Sequence, residues 1–518
     1  MKSLLRHKVL AALGGLLLAG NAFPALVSAA YEADDVGGAN RLNYIEQRRR
    51  LAREEQLTDA QKKLVADTQE MEKHLRYPLN PDDPSPTAFE GDELTYDQTT
   101  GEFTAVGKVH IVQLDRHEFD TDGTVRGNLK KQQVELPGRA HVIQMTPGQS
   151  QVELDGYRAF YRYGEKTGSM EQAKGKVDHQ YVSGKRFEFY PDHIVIYDGT
   201  TTKCGAIQPD YHLSGDRIVI IPNQTMTIYK AKFWVKNKVL LHKEKYVTSI
   251  APDQQDKTDW IPRAGYGKDS GVWLREKLSQ PLANRIEAHE DLYIDTKHGG
   301  RSHGDVTWYS KRAGSYALGY GYYEDSDDNW VKRKPNFDWN YGHPIPGTRL
   351  SYGLGYRIGR WENTKTGLES THQVYSVGLS HAPITWDRWT LTLSGGYDVT
   401  KESEDDSIVR GVWTDVGLLR DFDSRWAGYL AYAYNRNNTR NSLFDFDLDD
   451  YSAKVEGGVS YVVTPRDRLM TAMEWDADRG RMHDIDYYWF HDLHCAQFIV
   501  RYRSKQNTWK VQWQFTPW

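Results

Sequence analysis

After residue 29 the chain contains no run of 18 or more consecutive apolar residues, and its mean hydropathy is −0.72. That excludes membrane-spanning helices from the mature protein and leaves strands as its route into a bilayer. Two cysteines in 518 residues are too few for a disulfide-framed scaffold. With a net charge of −5 and a pI near 6.4 there is no basic excess to attract nucleic acid, and a polyanionic ligand would need a local basic patch. Also missing are a Gly-x-x-x-x-Gly-Lys-Ser/Thr phosphate loop, a His-Glu-x-x-His metal helix and a Gly-x-Ser-x-Gly nucleophile elbow. The chain therefore reads as a non-enzyme with no cofactor and no metal.

What is present begins with Lys2, Arg6 and Lys8, an apolar run from Val9 to Leu18 and small residues at Val27-Ser28-Ala29. This is a secretory signal peptide over residues 1–29, cut near Ala29 or Ala30. At the other end, Trp509, Val511, Trp513 and Phe515 alternate with Lys510, Gln512 and Gln514. Side chains on a strand alternate between faces, so this segment has one greasy and one wet face. A half-buried strand of a soluble sandwich gives the same pattern in isolation, but its recurrence upstream favours an outer-membrane β-barrel. The abundance of Tyr (33), Trp (16) and Gly (44) suits a barrel with aromatic girdles.

Between these ends the texture changes three times. From Asn40 to Arg76 the spacing of Leu42, Ile45, Leu57, Leu64, Met71 and Leu75 predicts helices, with Thr58 and Gln61 as a capping box. The leader is either a solvated helical segment or a docking arm for a partner. Prolines 78, 81, 84 and 86 make the rest of residues 30–87 a stiff linker.

Residues 88–250 then repeat a frame, glycine followed by side chains of one parity three and five places on. The copies start at Gly91, Gly156, Gly184 and Gly215, and Ala105-Val106-Gly107-Lys108-Val109 is echoed by Ala173-Lys174-Gly175-Lys176-Val177. Such repetition predicts a stacked β-architecture, V-shaped or jelly-roll. Parity places Leu94, Tyr96, Ala159, Tyr161, Phe187, Phe189, Ile218 and Ile220 on one inner face. That face is either the core of a sandwich or an open groove suited to acyl chains, since each methylene kept from water is worth about 0.8 kcal/mol.

From Trp260 onward, short alternating runs are separated by clusters of Gly, Asp, Asn and Ser. In one of them, Tyr316, Leu318, Tyr320 and Tyr322 share a lipid-facing parity and Gly319 and Gly321 the other. At about ten residues per strand plus turns, residues 260–518 give an antiparallel transmembrane barrel of about 14 strands, within a range of roughly 12 to 16.

At this point the chain resembles the lipopolysaccharide-assembly protein D family (LptD, also called OstA). The repeated stack, with Thr202-Lys203-Cys204 followed by Pro209-Asp210-Tyr211-His212-Leu213, is similar to the family's periplasmic OstA or β-taco domain. Pro262-Arg263-Ala264-Gly265-Tyr266 with Gly271-Val272-Trp273-Leu274 looks like its first barrel strands, and Asp492-Leu493-His494-Cys495 with Val500-Arg501-Tyr502-Arg503 like its penultimate strand. The chain departs from the family's better-known members in having a much smaller barrel, too short to enclose a plug lipoprotein in the same way, and two cysteines where those members often carry four.

The resemblance implies an all-β protein with a short helical leader. It implies an outer-membrane location with the N-terminal domain in the periplasm, and lipopolysaccharide received on the periplasmic groove and inserted into the outer leaflet through a lateral gate. Its implied partners are lipopolysaccharide, outer-membrane lipids, a periplasmic LptA-like bridge protein driven by an inner-membrane ATPase complex, and the barrel-assembly machinery; a plug lipoprotein stays open. The gate would lie between first and last strands, where Pro262 and Pro517 lack ladder donors and Gly265 and Gly271 weaken the strand, although glycines at turns and prolines at strand ends are also ordinary. Arg501 and Arg503, inward by parity, either contact phosphates or line a wet lumen.

Cys204 and Cys495 can form one disulfide if the compartment is oxidising. Cys495 would lie at the periplasmic end of its strand, on the inward parity. Two free thiols, or a metal held by His491, His494 and Cys495, are the alternatives. His289, His298 and His303 read as loop or girdle residues, and Asp405-Asp406 and Asp449-Asp450 as solvated loop acids. The rival function is a passive porin-like channel with a periplasmic accessory domain.

Overall fold

A computed structural model describes residues 40–54, 57–74, 85–146, 151–206, 208–222, 224–250, 262–326, 329–435, 442–444 and 452–515. The signal peptide, most of the proline-rich linker, Asp449-Asp450 and Pro517 lie outside these residues. The described chain is all-β with two helices, and it divides into two compact units, residues 52–255 and a barrel unit of residues 256–515 that also takes in the chain up to residue 51.

The first unit is one 14-stranded antiparallel sheet folded on itself. One layer opens with β1 (Thr87–Glu90), β4 (Val109–Gln113) and β5 (His117–Thr121). The other opens with β2 (Glu93–Tyr96), β3 (Glu102–Val106) and β6 (Thr124–Asn128). Both converge on β7 (Gln133–Gln144), whose first half pairs with β6 and whose second half pairs with β5. Its register shifts between Leu136 and Arg139, where Pro137 has no N–H to keep the ladder going. The remaining strands follow in chain order: β8 (Val152–Arg162), β9 (Thr167–Val177), β10 (Gln180–Phe189), β11 (Ile194–Thr202), β12 (Tyr211–Ile221), β13 (Thr225–Val235) and β14 (Lys238–Ser249).

These long strands bend in the middle, and the bend explains the repeated glycine. Arg158, Gln172, Asp198 and Lys230 adopt positive φ between 44° and 50°, and the ladders skip residues there. Gly156, Gly184 and Gly215 sit at the bends. A Cβ on Gly184 would lie 2.4 Å from Ile196 Cγ2, and one on Gly215 the same distance from Ile228 Cγ2. Two apolar layers meet at the crease with no room for a side chain.

Ala159, Tyr161, Phe187, Ile218 and Ile220 are buried as their parity requires, and Phe189 is half-buried beside Phe187. The copy at Gly91 departs from the pattern. Leu94 and Tyr96 pair with the buried Ala105 and Phe103, yet are themselves 57% and 46% exposed. They lie on β2, an edge strand of four residues, so their face has the right polarity but no layer to cover it. The second echo is not structural either: Gly107 occupies the turn between β3 and β4, whereas Gly175 is inside β9.

The second unit is a closed antiparallel barrel. It starts with β15 (Arg263–Gly267), β16 (Gly271–Ala283) and β17 (Ile286–Asp295). Both β18 (Gly299–Gly300) and β19 (His303–Tyr309) pair with β17, so they are two pieces of one wall strand. The wall continues through β20 (Ser315–Ser326), β21 (Asn329–Pro344), β22 (Leu350–Asn363), β23 (Glu369–Trp386), β24 (Trp389–Glu402), β25 (Ile408–Asp421), β26 (Trp426–Asn435), β27 (Ala453–Val462), β28 (Asp467–Asp476), β29 (Arg481–Asp492), β30 (Ala496–Arg503) and β31 (Thr508–Phe515). That makes sixteen strands, against about 14 expected. Tight turns account for the difference. Trp386 pairs directly with Trp389, so two residues, one of them Asp387 at φ +48°, close that hairpin.

The helical leader forms α1 (Asn40–Glu54) and α2 (Asp59–His74), belonging mainly to the barrel unit and the stack unit respectively. The capping box at the start of α2 is present, with Thr58 N–H donating to Gln61 Oε1 and Gln61 N–H donating to Thr58 Oγ1, both at 3.1 Å. Leu64 packs on Val112, Ile143 and Met145 of the stack, so α2 is docked on it.

Replacing Gly215 with valine should destabilise the stack by about 1–3 kcal/mol through overpacking, seen as faster amide exchange across β11–β13. Gly138→Ala, whose Cβ meets nothing within 4 Å, should leave exchange unchanged. Equal exchange in both variants would show that the crease is not close-packed.

Candidate functional site: the barrel seam and lumen

The barrel is wet on one side and greasy on the other. Tyr266, Val272, Leu274, Ile294, Leu318, Tyr320, Leu430 and Val459 are between 46% and 59% exposed on the outside. A continuous belt of this kind is the surface of an outer-membrane-type barrel. Inside lie Arg275, Asp291, Asn336, His372, Glu402, Glu456 and Arg501, all shielded from solvent. One residue crosses over. Tyr322, lipid-facing by parity, packs instead with the buried Trp273, Tyr293 and Trp330, next to a shift in the β20–β21 register whose extra residue lies on β21 between Arg333 and Asn336.

Among the described residues, the seam that closes the barrel is its shortest full-strand ladder. β15 and β31 pair at four positions, Ala264–Trp513, Gly265–Gln512, Tyr266–Val511 and Gly267–Lys510. By contrast β22 and β23 pair at thirteen and β30 and β31 at eight. Pro262 stands immediately before β15 and has no N–H to lengthen the ladder. Gly265 lies inward beneath the Trp273 ring, where a Cβ would come within 2.4 Å of Cζ2. Gly271 has φ +71° and is the turn residue of the β15–β16 hairpin, the ordinary role held open above.

The lumen holds α1, which nothing in the sequence assigned to it. Leu42 and Ile45, three residues apart on one helical face, are buried against Leu419, Ala427, Tyr429, Ala431, Met470, Ala472, Tyr488, Phe490 and Ile499 of the inner wall. Burying two such side chains contributes about 1.5–3 kcal/mol each. Polar contacts surround this patch. Arg41 pairs with Asp415, and with Glu456 at 3.4 Å. Arg49 pairs with Asp421 and donates to the Trp426 carbonyl at 2.9 Å, Arg48 donates to Thr390 Oγ1 at 2.9 Å, and Arg468 donates to Asn43 Oδ1 at 2.7 Å. A basic helix thus meets an acidic stretch of wall. Gly458 is notched under Leu42, whose Cδ1 would lie 3.3 Å from an added Cβ. The signal in the sequence was the Leu42/Ile45 stripe flanked by arginines, but a stripe does not name its receptor.

Arg501 and Arg503 point inward and are already neutralised. Arg501 donates to Asp486 from Nε at 2.9 Å and Nη2 at 2.6 Å, and Arg503 donates from Nε to Asp484 at 3.0 Å. His289 contacts Ser279, His298 contacts Asp295, and His303 contacts the Tyr322 carbonyl while stacking on Tyr323. Each is a wall or turn residue with a partner. Asp405 is a loop acid accepting backbone N–H groups from Ser407 and Leu443. Neither cysteine is free: Cys204 and Cys495 are both disulfide-bonded and buried. That removes the thiolate a metal at Cys495 would need, and His491 is held by Asp467 at 2.7 Å.

In the stack, five of the eight inner-face residues, Ala159, Tyr161, Phe187, Ile218 and Ile220, are buried in the core. The recess lined by Tyr161, Phe189, Tyr190 and Ile194 has a volume of about 20 Å³, too small for an acyl chain.

No protein-family model matches the chain, and no curated protein matches it. Similar solved structures include two triple mutants of the Rhodopseudomonas blastica porin. They are 11% and 10% identical, with TM-scores of 0.29 and 0.26, and each comparison covers 49% of this chain and 96% of the porin. A likeness at this level carries no functional argument.

Releasing α1 should open the lumen. Leu42→Asp, which sets a charge against an apolar wall, and the charge reversal Arg49→Glu should each raise conductance in planar bilayers several-fold over the parent. Unchanged conductance in both would mean that α1 is not the constriction.

Proposed function

We propose that the chain is an outer-membrane translocon component that receives lipopolysaccharide on the periplasmic stack and releases it into the outer leaflet between β15 and β31. The four-pair seam carries the reading. A closed barrel has no edge through which an amphiphile can leave sideways, so one ladder must be cheap to part, and this one has about a third of the pairing of the long hairpins. A multi-chain lipid crossing water unaided would expose tens of methylenes at about 0.8 kcal/mol each. The inner face of the stack supplies an apolar path, provided its two layers separate along the crease. The uncovered Leu94 and Tyr96 beside the β2 edge suit delivery from a bridge protein of similar build, the partner that the family resemblance implies.

A passive porin is less well supported, because α1 occupies the lumen through both apolar and ionic contacts. In the transport reading α1 is an internal plug. It blocks solute leakage while lipid leaves through the wall, a task for which a barrel of sixteen strands has less room for a separate plug protein.

The test locks the seam. Tyr266 and Val511 are directly paired, so cysteines at both positions should crosslink β15 to β31. The expected result is loss of lipopolysaccharide from the cell surface, restored by reduction, with the barrel still folded in the membrane. Undiminished surface lipopolysaccharide with the crosslink complete would overturn the lateral route.

A further inference from the structure

We infer that His110, Glu118 and Asp120 form a binding site for a divalent transition-metal cation of the Zn²⁺ class beneath helix α2. The three ligand atoms lie within 4.8 Å of one another, and the local fold explains why. β4 and β5 are an antiparallel pair in which His110 stands directly opposite Asp120, and Glu118 opposite Val112. All three side chains therefore share the face that α2 covers, where Leu64 packs on Val112. His110 Nδ1 lies 2.6 Å from Asp120 Oδ1 and 3.6 Å from Glu118 Oε1. The other ring nitrogen, Nε2, lies 3.4 Å from Asp67 Oδ2 on α2.

Glu118 Oε2, His110 Nε2 and Asp67 Oδ2 are buried without a hydrogen-bond partner, and Glu118 is only 1% exposed. A proton on Nε2 serves the His110–Asp67 pair but leaves Glu118 Oε2 unsatisfied, at a desolvation cost. One cation on the Nδ1 side serves both ends of the cluster. It takes the Glu118 carboxylate as a ligand, and by occupying Nδ1 it puts the imidazole proton on Nε2, aimed at Asp67. A metal-bound histidine whose second nitrogen donates to a carboxylate is the usual arrangement of such centres.

One nitrogen and two carboxylates, with water completing the shell, suit Zn²⁺ or its neighbours better than Ca²⁺, which prefers six to eight oxygens. Lys63, one turn before Asp67, opposes a cation, and His141, opposite Asp120 on β7, faces Asp155 at 3.4 Å. The bound ion ties α2 to the first hairpin of the stack through Asp67.

The experiment uses the untagged full-length chain in detergent, stripped with chelator and titrated with Co²⁺, read by its visible d–d absorption and by competition with Zn²⁺. The expected result is one equivalent per chain, displaced by Zn²⁺. Binding should be lost in His110→Ala and Glu118→Gln and retained in His242→Asn, a control elsewhere in the stack. Asp67→Asn keeps all three ligands and should weaken binding about ten- to a hundredfold, so it decides the matter even if Glu118→Gln fails to fold. Absence of the Co²⁺ spectrum in the parent, or equal affinity in parent and Asp67→Asn, would overturn the site and leave a proton-sharing cluster.

Discussion

Every backbone N–H and C=O that enters a membrane must find its partner within the protein, and the barrel half of this chain is organised by that constraint. Closure satisfies it, because a sheet with no free edge leaves nothing unpaired in the hydrocarbon layer. Fifteen of the sixteen neighbouring strand pairs are made between segments adjacent in sequence. Among the described residues, the last joins positions about 245 apart, and it is made with four pairs, two of them at glycines, shortly after a proline. The shortest full-strand ladder is thus also the one where the ends of the wall meet.

The same economy of contacts governs the stack. A flat 14-stranded sheet has two faces and a core on neither, whereas a folded one buries its inner face against itself. The fold depends on residues that tolerate a crease: glycines where two layers touch, and Arg158, Gln172, Asp198 and Lys230 in left-handed conformation. Facing pairs such as Lys185–Asp198 and Lys230–Asp216 line the exposed outside of the bend, where each contributes little to stability. The interior is what holds the layers.

Much of this was legible in the residues. Alternation marked the wall strands from Trp260 to the C-terminus, because a strand between lipid and water shows its two solvents in its sequence. The glycine frame marked the stack for a reason that periodicity alone does not reveal, and Thr58 and Gln61 announced the start of α2. Other features were hidden because they depend on what lies across from a residue. Leu94 and Tyr96 match buried neighbours in type and parity, but no layer covers them. Tyr322 obeys alternation in the sequence and departs from it in space, beside a register shift whose extra residue lies on the partner strand. For the arginines at 501 and 503, inward parity left phosphate contact and lumen lining equally open, and what neutralises them, Asp486 and Asp484, lies on the neighbouring strand.

The sequence by itself determined that the chain is built of strands and that it passes from a repeated stack to a barrel, because alternation and turn residues are local. Tertiary structure alone decided that α1 fills the lumen, that the barrel closes on four pairs, and that His110 meets Glu118, Asp120 and Asp67. Each of these joins segments whose patterns say how they fold but not what they fold against, and complementarity between distant surfaces is written in neither surface alone.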